Sequence, residues 1–168
     1  NPENIYANFD TSTSVPGTYK LSVSQLAQND SIRSAAVSSQ TADQNGTSAA
    51  TVVIRIGSGT ATTLTLAANS TSLDDLVTGI NNLDIDVTAR VVEVSMGSYR
   101  VVVEGPQGAA NALTITDSVF GLTTDSSATT YSSSSKTQTA QNATIVVNGL
   151  SVSRSSNEVD DLVPGLKL

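Results

Sequence analysis

Apolar residues recur along this chain with two periods, and a single stretch carries the longer one. Across Ser70-Thr71-Ser72-Leu73-Asp74-Asp75-Leu76-Val77-Thr78-Gly79-Ile80-Asn81-Asn82, the positions Leu73, Leu76, Val77, Ile80 and then Leu83 fall at helical spacing and form one stripe. Thr71 or Ser72 can cap the first turn by accepting a backbone N–H. Asp74 and Asp75 put negative charge where the helix dipole is positive, and Asn81-Asn82 makes a stop. The spacing predicts one helix over about 71–82. The phrase returns as Ser155-Ser156-Asn157-Glu158-Val159-Asp160-Asp161-Leu162-Val163-Pro164-Gly165-Leu166, with Pro164 where the first copy has Thr78. Proline removes a donor, so any second helix is expected to end at about Val163. Each copy follows an alternating run, Ala50 to Gly57 and Ala143 to Gly149. A strand–strand–capped-turn unit is expected twice, complete once and truncated once.

Elsewhere the period is two. Tyr19, Leu21 and Val23 alternate with polar residues and predict a half-buried strand within 18–28, followed by a turn at Asn29-Asp30. A second strand over 31–39 is expected to pair with it, and the polar stretch 40–49, holding Asn45-Gly46, to connect two modules. Val52, Ile54 and Ile56 predict a strand that returns through Leu64 and Leu66 into the helix. Ile85, Val87, Ala89 and Val91 then share a face, after which the apolar phase slips to Val92, Val94 and Met96. That slip predicts either a bulge near Val91-Val92 or burial on both faces. Gly97-Ser98 turns the chain into Tyr99, Val101 and Val103, and Leu113 with Ile115 marks one more strand. The order is ββαβββ, a small α+β layer with one helix on a mostly antiparallel sheet.

The segments outside this layer are plainer. Residues 1–16 show no sustained period and end in the turn signal Ser14-Val15-Pro16-Gly17. Phe120 is expected to tuck in after the last strand, and 123–141 is of low complexity around Ser132 to Ser135. Asn148-Gly149 predicts a tight hairpin between 144–147 and 150–153. Gly165-Leu166-Lys167-Leu168 reads as the opening of a further strand, as in a fragment of a longer protein. The fold class expected is α+β and β-rich, in two small domains. One is discontinuous (1–45 with 135–168), truncated at its C-terminus; the other (46–134) is inserted and carries the helix.

Composition narrows the chemistry. The 168 residues are 38% hydrophobic and only 4% aromatic, with no Trp, so the core must be built mainly from Val, Ile, Leu and Ala. A net charge of −7 argues against nucleic acid and anionic membrane as partners. There is no apolar run of membrane-spanning length, and the first residues lack the charged and apolar regions of a signal peptide. Cys is absent, which excludes disulfides and thiol chemistry; His is absent, which excludes an imidazole base and the usual zinc sites. Asp74-Asp75 and Asp160-Asp161 are explained by helix-terminus electrostatics, and Asp84 with Asp86 by a solvated strand edge. The glycines at 57, 59, 97, 105 and 108 precede no Lys-Ser/Thr helix and read as turn residues, not a phosphate loop. Chance in a Ser/Thr-rich chain explains the Asn-x-Ser/Thr triplets at Asn29, Asn45, Asn69 and Asn142. No catalytic, cofactor-binding or metal-binding residue is nominated, and partner-binding residues are not legible.

Three motifs nevertheless stand in order. Gly17-Thr18-Tyr19-Lys20-Leu21-Ser22-Val23-Ser24-Gln25-Leu26-Ala27-Gln28 resembles the opening of the flagellar filament capping protein family, the hook-associated protein 2 family. Thr71 to Leu76 through Ile80-Asn81, then Val87-Thr88-Ala89-Arg90-Val91 and Tyr99 to Val103, resemble its flagellin "IN" motif. Asn142-Ala143, Val147-Asn148-Gly149, Arg154-Ser155-Ser156-Asn157-Glu158-Val159 and Pro164-Gly165-Leu166 resemble a third segment. Departures occur at Glu104-Gly105-Pro106-Gln107-Gly108, where the family often has Ser before the glycine loop, and at Leu166-Lys167. The resemblance implies a head fragment with a β-rich domain interrupted by an inserted one. It implies a non-enzymatic cap at the filament tip, outside the cell, which oligomerises into a ring and orders flagellin without losing subunits. Flagellin and further copies of the chain are the partners implied, with a host surface or mucin as an additional candidate and no cofactor. Alternatives are another flagellar junction protein or flagellin, or an extracellular adhesin or glycan-binding β-module. A carboxylate-only hydrolase comes last, since no acid pair demands it.

Overall fold

In the computed structural model, which describes residues 6–13, 15, 17–124 and 135–168, alternation and helical spacing become the following elements. They are β1 (Asn8–Phe9), β2 (Leu21–Gln25), β3 (Asn29–Arg33), β4 (Ala50–Ile56), β5 (Thr62–Leu66), α1 (Leu73–Asn81), β6 (Thr88–Ser95) and β7 (Ser98–Gln107). A 3-10 turn (Ala109–Asn111) leads to β8 (Leu113–Asp117), β9 (Lys136–Gln138), β10 (Ala143–Val147), β11 (Leu150–Arg154) and β12 (Leu166–Lys167). Among the described residues these strands form four antiparallel sheets, in the orders β1-β12, β11-β10-β2, β6-β7-β3-β9 and β5-β4-β8. The fold is β-rich α+β, with one short α-helix among the described residues, as the periodicity predicts.

The main core lies where α1 meets the β5-β4-β8 and β6-β7-β3-β9 sheets. Leu73, Leu76 and Ile80 of the helix join Val52, Ile54, Val101, Val103, Leu113, Ile115 and Leu122, all essentially without exposure. The register keeps one apolar face inward, since Ile54 pairs with Ile115 and Ala89 with Val103. Helix α1 begins with a capping box in which Ser72 Oγ accepts from the Asp75 amide while Asp75 Oδ2 accepts from the Ser72 amide. The expected ββαβββ order is present, but its strands split between two sheets on which the helix packs.

Several expectations change on folding. The strand after Asn29 does not pair with β2; β3 runs earlier than expected and lies between β7 and β9, while β2 pairs with β10. Side-chain alternation cannot select a partner when several strands present matching faces. The bulge is not at Val91-Val92, whose pairing with Val101 and Arg100 is continuous, but two residues on, between Glu93 and Ser95. Residues 82–87 are turn and bend, not strand, with Asp84 at φ 52°, so Asp84 and Asp86 share no strand face. Stretch 40–49 forms no regular element, yet it wraps the helix start: the Thr71 amide donates to Asp43 Oδ1 (2.8 Å), and the Asp74 amide to Gln40 O (3.2 Å). The second helix phrase forms no helix. Phe120 is buried as expected, and Asn148 (φ 50°) with Gly149 (φ 88°) makes the predicted hairpin. Of the low-complexity stretch, 125–134 lies outside the described residues, as do Ser14 and Pro16 of the turn signal, while β9 is an ordered strand.

Candidate functional site

The second sheet, β11-β10-β2, is a different kind of structure. Its register stacks Val23, Ile145 and Val152 in one row, and Leu21, Val147 and Leu150 in the next. This makes an apolar face against a largely Ser/Thr one, but only Ala143 and Ile145 of these strands are buried, and Leu150 at the hairpin tip is 69% exposed. Between that sheet and the β1-β12 pair lies a groove of about 620 Å³, with Val23, Leu26, Ala143 and Ile145 on its apolar wall and Tyr6 and Leu168 beside it. The β6-β7 hairpin carries a second apolar tip, where Met96 is fully exposed and Val94 half so. Glu158 and Lys167, paired at 3.0 Å, also line the groove, and the rest of these surfaces offers apolar contact area.

Where the two kinds of sheet meet, side-chain amides make most of the connections. The chain crosses from β2 to β3 through 26–28 and returns through 139–142, and the crossings pair by backbone bonds from Gln28 N to Gln141 O (2.9 Å) and Gln141 N to Gln28 O (3.1 Å). Asn157 holds Ala27 from both sides, its Oδ1 accepting from the Ala27 amide (2.7 Å) and its Nδ2 donating to the Ala27 carbonyl (3.0 Å). Asn142 Oδ1 accepts from the Ala109 amide (2.8 Å) and its Nδ2 donates to Ser153 Oγ (3.1 Å). Gly108 (φ 100°) packs so tightly that a Cβ there would lie 2.6 Å from Ser155 Cβ. Below this joint Asp30, fully buried, accepts from the Leu113 and Ala140 amides (2.6 Å each) and from Lys136 Nζ (2.7 Å). A buried carboxylate needs such a complete set of donors, and the reading of Asn29-Asp30 as a turn missed it. Asn142 and Asn157 are legible only as parts of a motif; their partners lie far off in the chain.

The acidic pairs resolve differently. Asp75 belongs to the capping box, whereas Asp161 pairs with Arg154, whose Nη2 is 2.7 Å away. Hydrogen bonding to that guanidinium holds the Asp161 carboxyl below the usual aspartate range, against an opposing effect of desolvation. Glu104 is lowered in the same way by its hydrogen bonds to Arg90 across the β6-β7 ladder. Among the described residues no three acidic side chains gather as metal ligands would, so the carboxylates of 74–75, 84, 86 and 160–161 stay apart as sites.

No family model matches the chain. Flagellar hook-associated protein 2 of Escherichia coli O157:H7 is 30% identical over 155 residues, covering 88% of this chain and 33% of that protein. The D2-D3 domains of the flagellar cap protein FliD from Escherichia coli superpose with a TM-score of 0.82 at 26% identity, covering 96% of this chain and 84% of that one. Those of Serratia marcescens give 0.83 at 26% identity, covering 96% and 89%. The chain is homologous to the flagellar cap protein, hook-associated protein 2, in its D2-D3 head region. It spans about a third of the length of the curated relatives it matches. The cap-protein motifs fall at meaningful places in the fold: "IN" residues build α1 and its sheet, while Asn142 and Asn157 of the third motif form the amide joint.

Proposed function

We propose that this chain is head material of a filament cap that sits outside the cell at the distal end of the bacterial flagellum. The cap oligomerises into a ring there, promotes ordered flagellin polymerisation and prevents subunit loss, with flagellin and further copies of the protein as partners. A host surface or mucin would be a further contact of the exposed head. The observation that carries this reading is the agreement of sequence and fold with cap-protein head domains along almost the whole chain. The joint without catalytic groups, the exposed apolar hairpin tips and the groove suit a protein that works by contact. No covalent step is required.

Two units also follow as a proposal, a discontinuous one from the chain's beginning and end and an inserted one between. Pairing of β1 with β12 and of β2 with β10 supports it. Pairing of β3 with β7 on one side and β9 on the other favours boundaries near 28 and 139 over those near 45 and 135 expected from the sequence. Deleting the gene in the parent bacterium tests the capping role. Monomeric flagellin in the medium with absent or stunted filaments is expected; normal filaments with lost surface attachment would overturn capping in favour of adhesion.

A further inference from the structure

Two chain crossings joined by one pair of backbone bonds make a hinge, because rotation about the line through them breaks nothing else. Here a third attachment stands beside them. The end of β7 reaches across to the other unit, where Ala109 N–H donates to Asn142 Oδ1 and Asn157 N–H donates to Gln107 Oε1 (3.4 Å). Gly108 N–H donates to Gln28 O (3.1 Å), and the bare Cα of Gly108 lets Ser155 approach. Asn157 ties this contact to the crossing itself through both edges of Ala27. Every one of these groups is a neutral amide or a backbone group, so the attachment needs no ionisation to persist.

We infer that Asn142 and Asn157, with Gly108 as the close-packing point, form a clamp that fixes the angle between the β11-β10-β2 sheet and the β6-β7-β3-β9 sheet. The two asparagines are positioning residues. They set orientation, while the apolar cores and ladders hold each sheet. Asn157 is itself at an exposed position, so its loss removes hydrogen bonds without opening an enclosed core cavity. The clamp does not depend on a capping role, since it acts within one chain.

The absence of cysteine permits a direct test. Thr65→Cys on β5 and Ser151→Cys on β11, both at exposed positions, give a spin-label pair spanning the two units. The otherwise unsubstituted chain is expected to give one narrow distance distribution by pulsed electron paramagnetic resonance. Adding Asn142→Ala with Asn157→Ala is expected to broaden it about twofold, as for a released hinge. Separately, Gly108→Ala is expected to shift the mean distance by wedging Ser155 away. Residue-resolved amide exchange in β7 and β10 should stay as protected as before. A broad distribution without the asparagine substitutions overturns the clamp, as does a distribution unmoved by both sets of substitutions. Loss of protection in β10 together with broadening also overturns it, because the asparagines would then be holding the sheet together and not its angle.

Discussion

Leu73-Asp74-Asp75-Leu76-Val77-Thr78-Gly79-Ile80 and Val159-Asp160-Asp161-Leu162-Val163-Pro164-Gly165-Leu166 are nearly the same phrase, yet only the first is a helix. Both bury their first and last apolar positions, Leu73 and Ile80 in one and Val159 and Leu166 in the other, but between them the first buries Leu76 and the second Val163, one step further on. The difference lies in the polar and backbone chemistry around them. Ser72 caps the first copy, whereas the corresponding Glu158 reaches for Lys167 (3.0 Å). Asp75 turns back to its cap, whereas Asp161 turns away to Arg154. Thr78 supplies a helical N–H that Pro164 lacks, and Gly165 sits at φ 76°, outside helical space. Nucleating a helix fixes several dihedrals before its first bonds form, so a phrase of this length forms one only when cap and core both assist. Apolar spacing proposes a helix; the ends decide it.

Three experiments bear on that contrast, in descending size of effect. Leu76→Asp should unfold the main core, because losing a buried Leu costs about 2–5 kcal/mol and an unpaired buried charge adds to that. Leu162→Asp, at the half-buried matching position of the second copy, should be much milder in the same thermal melt. Equal losses would show that both copies are core seams. Thr78→Pro gives the first copy the residue of the second. It should lower stability by about 3 kcal/mol in denaturant titration and remove most of the helical circular dichroism. Retained helicity would mean that packing alone holds α1.

The smallest effect concerns acid. Because the folded Asp161 carboxyl titrates below its ordinary range, the unfolded chain binds more protons there, and the Arg154 pair stabilises the fold at neutral pH. That contribution is present above the unfolded aspartate range and disappears as pH falls through the folded value. Melting temperatures of the parent and of Asp161→Asn should therefore differ slightly at neutral pH and converge in strong acid. A gap that persists in acid would show that Asp161 acts through shape and not charge.

Local chemistry was enough to read α1, its cap, the β4-β5 and β10-β11 hairpins and the turn at Asn148-Gly149. Each depends on residues close in the chain, where propensity and spacing act directly. The absence of His and Cys likewise removed whole classes of chemistry before any fold was considered. Partner choice was not legible in the same way. β3 joins β7 and β9, Asp30 collects donors from Leu113, Lys136 and Ala140, and Asn157 grips Ala27 from 130 residues away. A strand's alternation says which face is buried but not against what, and an amide side chain offers the same donor and acceptor to any neighbour. The sequence by itself therefore determined the elements and excluded catalytic imidazole and thiol. Only the tertiary structure decided which strands share a sheet and how the two sheets are joined, because those choices belong to burial and hydrogen-bond completion across the whole chain.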